Sequence, residues 1–141
     1  MSFTADLSKF CHKEAPEKTN KIVRGVVIEI ANRLISRSPV GDASKWQQPG
    51  SAPAGYVGGH FRHNWQYGFN SVPSAILDGV ENDAVARTLG GLPVNVGGVH
   101  WLVNNTPYSE RIEAGWSGQA PHGIVGLTEL ELPQIVREVI G

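Results

Sequence analysis

Five histidines, one cysteine and several closely spaced carboxylates are the groups in this 141-residue chain that could do chemistry. His12, His60, His63, His100 and His122 could ligate a metal, yet none forms the helical pair of a metalloprotease and no cysteine-rich spacing accompanies them. His60 and His63 are three apart on an expected strand, which sends their side chains to opposite faces. Cys11, or one of many serines, would need a histidine as its base, and no Gly-x-Ser-x-Gly elbow is present. Glu110 with Glu113, and Glu129 with Glu131, pair by spacing alone, which favours a solvated surface over acid-base work. Gly58-Gly59 and Gly97-Gly98 lack the following lysine or helix of a phosphate loop and read as turns. The residues imply no cofactor, no metal and no enzyme; the alternative from another class is a small histidine-dependent hydrolase or metal-binding enzyme.

The length suits one domain, residues 1–141, with a single core. Twelve Lys plus Arg against thirteen Asp plus Glu give a net charge of -1, so nothing marks the whole chain as a nucleic-acid or membrane binder. A lone cysteine excludes an internal disulfide, and the start of the chain lacks a signal-peptide pattern, which points to a reducing cytoplasm. No apolar run is long enough to cross a bilayer.

The elements that must position these groups follow from periodicity. Phe3, Leu7, Phe10 and Cys11 repeat at helical spacing and predict a first amphipathic helix to about Lys13. Ala15-Pro16 interrupts it, and Pro16 suits the first position of the next helix. Glu17 to Arg37 is the clearest helix: Ile22, Val26, Ile30 and Leu34 form one row, and Val23, Val27, Ala31 and Ile35 its neighbour. A charged row through Glu29, Arg33 and Arg37 reads as a solvated face, the lesser alternative being that the two arginines grip a phosphate or a neighbouring subunit. His60 to Phe69 alternates as a strand, with Phe61, His63, Trp65, Tyr67 and Phe69 on the buried face. Glu81 to Leu89 predicts a short helix, although Val85 to Thr88 would also pass as a strand. Val94 to Val99 predicts a hairpin with a Gly-Gly turn.

Val99 to Trp116 organises the rest. Val99, Trp101 and Val103 alternate with His100, Leu102 and Asn104 in a largely buried strand, which Asn104-Asn105 ends. Thr106 as cap and Pro107 at the first position predict a short helix that stops at Gly115. Trp101, Tyr108 and Ile112 are expected to hold the core. Leu127 to Ile140 predicts a closing amphipathic helix, with Pro133 in its first turn or kinking it. The fold class is therefore α+β: a long N-terminal amphipathic helix and a C-terminal helix packed on a small, mainly antiparallel twisted sheet, with a long loop inserted at 42–59. That loop carries two isolated aromatics, Trp46 and Tyr56, which either dock onto a partner or fold back on the core.

Four motifs spread over the chain carry a resemblance. Ser38-Pro39-Val40, Phe61-Arg62-x-Asn64-Trp65, Asn104-Asn105-x-Pro107-Tyr108 and Glu113-x-Gly115-Trp116-Ser117-x-Gln119-Ala120-Pro121 stand in the order of a tail-component family of tailed bacteriophages. The chain resembles, over nearly its full length, the neck or tail-completion proteins similar in role to minor tail protein Z of lambda-like phages. The resemblance implies a virion structural protein, assembled in the bacterial cytoplasm, that forms a six-fold or twelve-fold ring of copies of itself at the head-tail junction. Its expected neighbours are the connector or head-completion proteins and the tail terminator or tube proteins. Genomic DNA would pass through the lumen without sequence-specific binding, and no membrane is involved. Within the same class the alternative is the tail terminator that caps the tube. Family members often pass directly from Ser-Pro-Val-Asp to Thr-Gly-Arg, whereas here about fifteen residues, Ala43 to Val57, intervene. The expected subunit contacts are Trp46, Tyr56, Arg62, Asn64, Gln66, Arg111 and Trp116.

Overall fold

The structure is a computed structural model, and it describes residues 2–6, 16–41, 50, 58–80, 84–94 and 96–141. In chain order the elements are β1 (Ser2–Asp6), α1 (Pro16–Arg37), α2 (His60–His63), β2 (Trp65–Phe69), α3 (Ala84–Gly91), β3 (Val99–Asn104), α4 (Ser109–Glu113), α5 (Val125–Leu130) and α6 (Leu132–Ile140). They make an α+β fold. The sheet has the order β1-β3-β2, and both pairings are antiparallel.

Helix α1 lies at the centre. Proline begins it, as expected of a residue whose missing N–H would have no helical partner. Both predicted rows are buried or nearly so, and Val26, Ile30 and Leu34 join Phe61, Trp65, Leu102, Ile124 and Ile135 in one core. Val23 and Val27 meet Val96 in a smaller cluster beside it.

Several expectations are corrected. The stretch expected to be the first helix begins instead as strand β1, because Ser2 to Asp6 find partners along Val103 to Val99; its remainder lies outside the described residues. His60 to Phe69 is not one strand: His60 to His63 makes a helical turn before β2. Phe61 and Trp65 are four apart, so a helical turn buries both as readily as a strand does. The short helix near Glu81 to Leu89 forms as α3, from Ala84. The expected hairpin does not appear: among the described residues of Val94 to Gly98 none is in a strand, and β3 begins at Val99. Helix α4 starts at Ser109 rather than Pro107, because Thr106 is spent elsewhere: its N–H and hydroxyl both donate to Asn104 Oδ1. The closing helix is two helices. Proline at the second position of α6 cannot donate back to α5, and Glu131 stands between the two helices as the cap of both. Trp101 and Tyr108 are only partly covered, and the core side of β3 is the His100, Leu102, Asn104 set.

Candidate functional site

Helix α1 ends in a junction where distant parts of the chain meet. The Ser38 hydroxyl donates to the Leu34 carbonyl at 2.6 Å and accepts the Trp65 indole N–H at 2.6 Å, all of it buried. Arg62 donates from Nε and Nη2 to the Ser38 carbonyl at 3.2 and 2.7 Å. A cation there satisfies a carbonyl left over at the helix end and meets the negative end of its dipole. Asn104 Nδ2 donates to the Phe61 carbonyl at 2.8 Å, and the Phe61 ring lies 6.1 Å from those of Trp65 and Tyr108. Gln119 clasps the backbone of Val40, accepting its N–H at 3.0 Å and donating to its carbonyl at 2.8 Å.

The same region orders the Gly115 to Pro121 turn. Gly115 sits at φ 92°, and a Cβ there would strike the Pro121 carbonyl, so glycine is required. Glu113 reaches across the turn to accept the N–H groups of Ile124 and Val125 at 2.8 Å and of Gly126 at 3.1 Å. It is the N-terminal cap of α5, supplied from another helix. Glu113 also lines a shallow cleft of about 400 Å³ with Ser2, Glu110 and Glu129. The Glu110–Glu113 pair is therefore divided between a structural carboxylate and an exposed one.

Of the expected contact residues, three are internal ties. Arg62 holds the end of α1; Asn64, fully buried, and Gln66 donate to carbonyls of the 73–77 stretch. Arg111 and Trp116 are exposed at the junction, where the guanidinium carbon stands 5.0 Å from the indole centroid and Trp116 is 74% exposed. Tryptophan and arginine are residue types enriched at protein interfaces, and the pair makes a cation–π contact. Trp46 and Tyr56 lie outside the described residues. Gly41 and Gly58, which flank residues 42–57, touch: a Cβ on Gly58 would fall on the Gly41 carbonyl.

The arginines thought solvent-facing are engaged. Arg33 and Arg37 both bind the Glu131 carboxylate, Arg37 also donates to Thr128 Oγ1 at 3.0 Å, and Arg33 pairs with Glu138 at 3.2 Å. Partial burial pushes the Glu131 carboxyl up, but the hydrogen bonds and charges of Arg37 and Arg33 together outweigh it and hold the group below its ordinary value. Spacing along α1 alone could not reveal a partner nearly a hundred residues away.

Among the described residues no three His, Cys, Asp or Glu side chains gather as metal ligands. His100 is buried; its Nε2 faces the Val96 carbonyl at 2.8 Å and so carries the proton, leaving Nδ1 to accept the Tyr67 hydroxyl at 2.6 Å. Burial pushes the Tyr67 phenol up to about 12 against the opposing charge of Arg24, which keeps it a donor. His60 stands near the Gly79 carbonyl and His122 is exposed. Comparison of the chain with protein-family models, with curated proteins and with solved structures finds no match in any of the three.

Proposed function

We propose that the chain is a structural protein of the phage head-tail junction, a neck or tail-completion subunit that forms a ring around the DNA channel and joins tail to head. The observation that supports it most is convergence. The four motifs behind the resemblance, far apart in sequence, contact one another at the end of α1, and they leave an exposed Arg111–Trp116 pair beside them. They build a scaffold for contact. Five of the seven arginines are engaged within the chain, Arg24, Arg62 and Arg87 on carbonyls and Arg33 and Arg37 on carboxylates, while Arg111 and Arg137 are exposed; that small exposed set fits a channel that does not grip DNA tightly.

The test is the Arg111→Ala, Trp116→Ala double variant in the particle that encodes the chain. Both side chains are exposed, so folding stability should change by less than about 0.5 kcal/mol. Electron microscopy should find a closed ring between portal and tail tube in the parent, and unjoined heads and tails in the variant. A parent chain missing from the particle would end this reading. Density at the tube tip instead of the neck would favour the tail terminator.

A further inference from the structure

From Ser71 to Val80, after β2, the chain runs without regular structure, and body side chains hold its backbone from one side. The Pro73 carbonyl accepts Asn105 Nδ2 at 3.0 Å, and the Ala75 carbonyl accepts Asn105 Nδ2 at 3.0 Å and Gln66 Nε2 at 2.7 Å. Leu77 exchanges both backbone groups with the Asn64 amide, at 3.0 and 2.7 Å. Every peptide bond here is trans, and a trans peptide sets its C=O and N–H in opposite directions. Since the carbonyls of Pro73, Ala75 and Leu77 point inward, the N–H groups of Ser74, Ile76 and Asp78 point outward. The inward N–H of Leu77 likewise turns the Ile76 carbonyl out. These three residues are exposed, and their backbone groups have no partner among the described residues. Donors repeating every second residue form the open edge of a strand.

We propose that this edge receives β1 of a second copy of the chain. Strand β1 is the outer strand of its own sheet, paired among the described residues on one side only, and its five residues match the span from Ser74 to Asp78. Each copy thus carries one strand to give and one edge to receive it, on different elements. Contact between unlike surfaces repeats head to tail, and with a suitable rotation it closes into a ring. Val72, Ile76 and Val80, exposed at four-residue intervals, add apolar contact beside the main-chain bonds. The inference rests on the ring reading above and supplies its subunit contact.

Sedimentation velocity across a concentration series up to millimolar, on the full chain, is the test. Ile76→Pro deletes the outward N–H together with the exposed isoleucine side chain, and Ile76→Thr, which loses that side chain but keeps the N–H, is its control. The parent and the threonine variant should associate, while the proline variant should do so about tenfold more weakly with an unchanged unfolding midpoint. In a Cys11→Ser background, Thr4→Cys with Ile76→Cys should form disulfides between chains. If the proline variant unfolds, the cysteine pair decides. Undiminished association in a folded proline variant, or no cross-linking by the cysteine pair in an associating protein, overturns the edge and leaves the ring reading intact. A protein monomeric at every concentration overturns the edge, and absence from the particle separately overturns the ring.

Discussion

Ser38 illustrates how a single hydroxyl ties three elements. It closes the last turn of α1 through the Leu34 carbonyl while accepting the indole N–H of Trp65, a side chain 1% exposed at the start of β2. Replacing it with alanine leaves that N–H buried without a partner, which costs about 1–3 kcal/mol. Ser38→Ala should therefore lower the urea midpoint with an unchanged slope; a shift below a few tenths of a kcal/mol would mean that water or a neighbour takes over the indole. The sequence ended this helix at Arg37, but the partner of Ser38 on another element was beyond local reading. Asn64 behaves alike. Its place beside Arg62 on one face of the expected strand suggested contact with another subunit; its amide serves as a surrogate backbone for Leu77.

Among the elements, α1 was fully legible because twenty-two residues repeat two apolar rows, enough turns to exclude a strand. Strand β1 was not, since Phe3 and Leu7 satisfy a helical period and only pairing with β3 selects the extended form. The split of the closing helix at Glu131 was half legible, Pro133 giving the place and the arginines of α1 the reason. That clamp makes a pH prediction. The folded Glu131 carboxyl lies below its ordinary 4.5, so its contribution is complete above that value and is lost as pH falls through the lowered one. The stability difference between the parent and Glu131→Gln should stay constant above pH 4.5 and narrow below it. A difference that instead stayed flat down to the acid transition would show that the clamp does not titrate with folding.

On the scale of the whole molecule, Gly41 and Gly58 stand close together, so the two ends of the 42–57 stretch meet. Joining Gly41 to Gly58 through a two-glycine link and omitting 42–57 should leave the unfolding midpoint equal or slightly higher, because a shorter closed loop costs less entropy. Circular dichroism and a thermal melt check this. If the same variant folds yet fails to join tails to heads, Trp46 and Tyr56 belong to the contact surface; if it does not fold, they belong to the core.

That pinched pair also makes the chain a natural host. Whatever sequence occupies the space between two touching glycines, the body experiences the same two anchor points, and each doubling of the length between them adds only about 0.6 kcal/mol. Should the body fold without 42–57, the stretch could lengthen, shorten or be exchanged for a foreign epitope at little cost to the scaffold.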